Sequence, residues 1–133
     1  MSNVEKLVRG YLASGDAGDL DRLGDYLHED VVLHDPGGSI TSGLAHDMQT
    51  WRRARKAISG LRHEVKEVII DGSSVAARVE ISGTLIGDFA GVSGEGQEFA
   101  VDQAIFMHIS EGKADELWAI VDSDGFRAQV GAT

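Results

Sequence analysis

Along the first sixty residues apolar positions recur every three or four, and along the rest of the chain every two. Val4, Leu7, Val8, Tyr11 and Leu12 share one side of a helical wheel. Ser2 followed by Glu5 forms a capping box, so a helix is predicted over about residues 3–14. Gly15-Asp16-Ala17-Gly18 breaks it. Asp19 can cap a second helix, which carries Leu20, Leu23 and Leu27 and ends near His28. Val31, Val32 and Leu33 before Pro36-Gly37-Gly38 predict a short strand that delivers His34 and Asp35 to an edge. A third helix, about 43–58, places Leu44, Met48, Trp51 and Ile58 on one stripe and charged residues opposite.

From residue 61 the alternation is strand-like, with glycine punctuation at Asp71-Gly72, Gly91, Gly94, Gly96 and Glu111-Gly112. Strands are predicted over about 61–71, 74–88, 97–110 and 113–122. The last two form an antiparallel hairpin through Ser110-Glu111-Gly112-Lys113. Helices first and strands afterwards mean a single α+β domain over 1–133, with three helices packed on one face of a strongly curved antiparallel or mixed sheet. Gly83 and Gly87 are the expected bend points, and a bent sheet closing over helices makes a cone with an apolar pocket inside.

Twelve Lys and Arg against 22 Asp and Glu give a formal charge of −10, which repels phosphate backbones and anionic membranes and argues against a nucleic-acid or membrane partner. The one basic cluster, Arg52, Arg53, Arg55 and Lys56, lies on the third helix and reads as a solvated face rather than an anion site. No apolar run suits a membrane span or a leader, so a cytoplasmic protein is expected. Cysteine is absent, which excludes disulfides, thiolate metal sites and a Cys nucleophile.

Alternation sorts the strand residues by face. Asp102, Ala104, Phe106 and His108 share one side of the third long strand. Val101, Gln103, Ile105, Met107 and Ile109 share the other. Trp118, Ile120 and Asp122 share a side of the last strand. Phe106, Trp118 and Ile120 with His108 and Asp122 have the composition of a pocket wall, mostly apolar with a few convergent polar groups. On structural grounds alone, Asp122 could equally be a strand-end carboxylate capping the next turn, His108 a hydrogen-bonded wall residue, and Asp102 an ion-pair partner of Arg78. Other motifs are weak. Asp122-Ser123-Asp124-Gly125 lacks the distant Glu of a calcium loop, and His63-Glu64 lacks the second His of a zinc protease. Gly91-Val92-Ser93-Gly94-Glu95-Gly96 lacks the Lys of a phosphate loop, and no Gly-x-Ser-x-Gly elbow occurs.

Three segments carry a family resemblance. Ser82-Gly83-Thr84-Leu85-Ile86-Gly87-Asp88-Phe89, Glu111-Gly112-Lys113-Ala114-Asp115-Glu116-Leu117-Trp118-Ala119-Ile120-Val121-Asp122, and the tail Gln129-Val130-Gly131 are similar to the corresponding strands and tail of the SnoaL-like polyketide cyclases (ester cyclases) of the NTF2-like superfamily. The likeness runs nearly the whole length. Departures are Leu85 where the family carries a His, and Gly91-Val92-Ser93-Gly94 where it carries a Pro-rich loop. The resemblance implies a cofactor-free, metal-free enzyme that closes a ring in a hydrophobic polycarbonyl substrate by intramolecular aldol chemistry. It implies Asp122 as base with His108 facing it. Trp118, Phe106, Ile120, Trp51, His34, Asp102 and Arg78 are expected to contact the substrate.

Two alternatives stand beside it. One is a non-catalytic binding protein for an apolar metabolite. The other is a hydroxylase or an epoxide-hydrolase-like enzyme, whose Asp-Arg-Asp set would draw on Asp102, Arg78 and Asp122. The resemblance also implies a homodimer, with Val101, Ile105, Met107 and Ile109 on the open outer face of the sheet. Were those residues covered by the helices instead, the two faces would be reversed.

Overall fold

The computed structural model describes residues 2–131. Its elements run α1 (Asn3–Ala17), a 3-10 helix (Leu20–Asp25), β1 (Leu27–His34), β2 (Ile40–Ser42), α2 (Leu44–Ala57), β3 (Ile58–Asp71), β4 (Ser74–Leu85), β5 (Gln97–Ser110), β6 (Lys113–Val121) and α3 (Ser123–Val130). The six strands form one sheet in the order β2-β1-β6-β5-β4-β3, antiparallel throughout except for the parallel β1–β6 pair. The architecture is the expected α+β one, helices on a curved mixed sheet. Among the described residues, no helix is long and apolar enough to cross a membrane.

Local chemistry explains most boundaries. Ser2 Oγ accepts the Glu5 N–H at 3.1 Å, as the capping box requires. At the other end α1 runs past Gly15 and stops at Gly18, whose φ of 80° places it in the left-handed region. The expected second helix is only the 3-10 turn. Leu27 and Val31 are instead buried in β1, which is therefore longer than the predicted strand. Strand β4 ends at Leu85 rather than residue 88, because the N–H groups of Ile86 and Gly87 both turn to the carbonyl of Ala57 at the end of α2. Of the two expected bend points, Gly83 lies opposite an irregularity in β3 between Ser59 and Arg62, and Gly87 lies beyond the end of β4. Two elements escaped the sequence reading, the three-residue β2 and α3. Helix α3 shows only Phe126 and Val130 as apolar landmarks and is held by edge-on packing of Phe126 on Phe99, centroids 5.0 Å apart.

The expected assignment of inner and outer faces is reversed. Val101, Gln103, Ile105 and Met107 of β5 and Leu117 of β6 are buried beneath the helices, while Asp102, Phe106, His108 and Ile120 face away from them. The hydrophobic residues assigned to a dimer contact thus belong to the core. Register supplies the reason. β4 buries Val75, Ala77 and Val79 and exposes Arg78, and its pairing sets Val79 against Gln103 and Ala77 against Ile105. A bulge between His108 and Ile109 then brings Leu117 opposite Met107 on the inner side.

The interior divides in two. One cluster joins α1, α2, β1 and the middle of the sheet through residues such as Leu12, Trp51, Val79 and Met107. The other joins Ala57, Ile58, Leu85, Phe99, Val101, Phe126 and Val130 at the end where α2, β4 and α3 converge. The space between them is not filled.

Candidate functional site

That space is a cavity of about 950 Å³, the upper end of what small-molecule sites commonly provide. Its apolar lining includes Leu61, Ile81, Phe99, Val101, Ile105, Leu117 and Phe126. Polar groups interrupt this lining at a few points, and apart from Trp51 they are not the expected site residues.

Asp47 is carried by α2 and is buried, with 6% of its surface exposed. The hydroxyl of Tyr11, from α1, donates to its Oδ2 at 2.8 Å, and the indole N–H of Trp51, one turn further along α2, donates to the Tyr11 oxygen at 3.1 Å. All three side chains line the cavity. Burial raises the Asp47 pKa from 3.8 to about 6, against the hydrogen bond from Tyr11, which favours the anion. Tyr11 itself is pushed well above its ordinary value, first by burial and then by the neighbouring Asp47 charge.

His63 of β3 continues this arc, its ring 5.1 Å from that of Trp51. Asp16, in the last turn of α1, grips it twice: Oδ2 accepts the His63 backbone N–H and Oδ1 lies 2.6 Å from Nδ1. An ionised Asp16 therefore holds the proton on Nδ1 and leaves Nε2, which has no partner among the described residues, as the ring's available atom. The His63 side chain is 7% exposed and lines the cavity.

Gln103, from β5, completes the set. It is 8% exposed, and its Oε1 has no hydrogen-bond partner among the described residues. An orphaned amide in an apolar wall costs about 1–3 kcal/mol until something meets it.

The sequence-derived candidates lie elsewhere. Asp122 is exposed and caps α3, its Oδ1 accepting the Gly125 N–H at 2.9 Å, so the Asp-Ser-Asp-Gly segment is a helix start. His108 is on the outer face, 47% exposed and 2.7 Å from Asp115 rather than Asp122. Phe106 and Ile120 are exposed at 42% and 58%. Trp118 stacks on His34 at 4.6 Å on the same outer side, and His34 Nε2 is 2.6 Å from Glu116 Oε2. Arg78 pairs with Glu67 rather than Asp102, and both Arg78 and Asp102 face out, so the Asp-Arg-Asp set does not form around the cavity. Of the expected contacts only Trp51 lines it.

The comparisons with known proteins fit this architecture. TsrD from Streptomyces laurentii superimposes with a TM-score of 0.90 at 24% identity, over 98% of this chain and 96% of that one. IdmH from Streptomyces antibioticus, described as a candidate polyketide cyclase, gives 0.87 at 23% identity over 98% and 99%. AclR from Streptomyces galilaeus, described as a candidate hydroxylase, gives 0.85 at 22% identity over 100% and 87%. At these identities the likeness is one of fold. No curated protein matches the sequence. The family model for the SnoaL-like polyketide cyclases matches residues 5–130, and the chain belongs to that family.

Proposed function

We propose that the protein is a cofactor-free acid/base enzyme acting on an apolar, carbonyl-rich small molecule, with Asp47 rather than Asp122 as the base. The observation that carries this is a buried carboxylate whose pKa lies at about 6 on the wall of an apolar cavity. Above that pH it is ionised, yet it is a stronger base than a solvated carboxylate, and a general base works best with a pKa near the working pH.

The step balances without an external reagent. Ionised Asp47 takes a proton from a carbon between carbonyl groups, and the C–H electrons pass to the adjacent oxygen as an enolate. The enolate carbon attacks a second carbonyl of the same molecule, forming the ring bond. The resulting alkoxide recovers the proton from Asp47. Tyr11 and Trp51 fix the carboxylate, and His63 Nε2 and Gln103 Oε1 offer acceptors for the hydroxyl or enol O–H groups of the substrate.

The test uses 2-tetralone, an apolar bicyclic ketone with acidified C–H bonds. Wild-type protein should accelerate exchange of its C1 protons in D2O, followed by NMR, and Asp47→Asn should return the rate to background while line broadening still reports binding. Exchange at the wild-type rate in Asp47→Asn would remove this base.

A further inference from the structure

The cavity's entrance carries a feature that acid/base chemistry does not use. The basic cluster of α2 is split by the fold. Arg55 turns towards α1, its Nε donating to the carbonyl of Asp16, whereas Arg53 and Lys56, one turn apart, line the cavity. Helix α3 brings Arg127 to the same cavity, because Phe126 is seated between Phe99 and Phe89. All three cations are exposed, and among the described residues none of them forms an ion pair. In a chain of net charge −10, three unpaired cations around one opening are a local reversal of the surface field.

Two carboxylates also reach this cavity. Asp35 is engaged by the hydroxyl of Thr41 at 3.0 Å and lies 3.9 Å from His46. Asp88 is exposed on the chain that leaves β4 and is tied beside the end of α2. Deeper inside, Asp47 makes the interior unfavourable for an anion, although its apolar walls and the orphaned Gln103 Oε1 suit an uncharged body that carries a hydroxyl or enol O–H.

We infer that the ligand is an amphiphilic acid, whose carboxylate is held at the mouth by Arg53, Lys56 and Arg127 while its apolar, carbonyl-bearing body occupies the cavity. This rests on the cavity being the ligand site, and it names the substrate class and the direction of entry. The charge polarity fixes the orientation, since a reversed ligand would place its carboxylate beside Asp47.

The test compares anthracene-2-carboxylate with its methyl ester, each titrated into wild-type protein and into the Arg53→Gln/Lys56→Gln/Arg127→Gln triple variant at low and high salt, reading quenching of Trp51 fluorescence with Trp118 replaced by Phe in both proteins. Because the three positions are exposed, circular dichroism should show the variant folded as the wild type. The acid should bind wild type about tenfold more tightly than the ester at low ionic strength, with the preference fading at high salt and absent in the triple variant. The ester's affinity should be the same in both proteins. If the ester binds wild type as well as the acid does, or the preference survives the triple substitution, the inference fails and the cavity reading stands. If neither compound binds, both fail.

Discussion

Replacing Asp47 by Asn separates a residue kept for chemistry from one kept for stability. Asn has nearly the same shape, and its carbonyl can still accept the hydrogen bond from Tyr11, so the perturbation is chiefly loss of a charge. In the folded protein the Asp47 pKa is raised from 3.8 to about 6, so the native state binds its proton more tightly than the unfolded chain does. The sign follows from linkage. The stabilisation from that proton is complete below about pH 4 and is lost as pH rises through about 6. Above pH 7 the fold therefore carries an ionised buried carboxylate at a cost of about 1.5–3 kcal/mol, because a tenfold difference in proton affinity between folded and unfolded chains corresponds to about 1.36 kcal/mol. Asp47→Asn removes that cost. With an unfolding entropy of about 2.1 cal/mol/K per residue, the 133-residue chain should gain about 5–10 °C in Tm at pH 8 and almost nothing at pH 4. Differential scanning calorimetry at the two pH values measures this directly. A variant that melts at or below the wild-type temperature at pH 8, or gains equally at both pH values, would refute the reasoning that burial strains Asp47.

Activity should rise through about pH 6 and hold above it, following ionisation of Asp47, as read by the pH profile of 2-tetralone exchange. Tyr11→Phe removes the hydrogen bond that favours the Asp47 anion, so this limb should move to higher pH. Stability should fall by about 1–3 kcal/mol in urea melts because the Trp51 N–H loses its acceptor. A limb that stays put would disconnect Tyr11 from the base. Gln103→Leu replaces an orphaned amide by an apolar side chain of similar size and should leave the empty protein unchanged or about 1 kcal/mol more stable, while weakening the binding of ligands that carry a hydroxyl or enol O–H. A loss of stability would show that the amide is not orphaned. Asp122→Asn keeps an N-cap residue and should change neither stability beyond about 0.5 kcal/mol nor exchange activity; lost activity would restore the C-terminal carboxylate as the base.

The fold was legible because binary patterning fixes layers. Helical stripes followed by alternating strands admit few arrangements, and the capping box at Ser2 and the tight turn at Ser110–Lys113 set local boundaries that the structure keeps. The site was not legible in the same way. Both faces of β5 offer apolar residues, so its alternation fits either orientation. What decides it is pairing with β4, where Val75, Ala77 and Val79 oppose Arg78 and Glu80, together with a one-residue bulge that no pattern announces. The motif match near the C-terminus could not report that parity, and the side chains of Asp122 and His108 followed it outward.

A different signal was present throughout. Asp47 lies three residues after Leu44 and four before Trp51, so it interrupts the apolar stripe of α2. His63 falls between Leu61 and Val65 in alternation, and Gln103 falls between Val101 and Ile105. Each is a polar residue at a position whose neighbours demand burial, and burying it costs free energy that an apolar residue there would not. Singly, such a residue has a structural explanation. Three of them, on three different elements, converge on one cavity, and one remains unsatisfied. Stability alone does not select that arrangement, whereas a ligand that brings O–H or acidic C–H groups to those acceptors does.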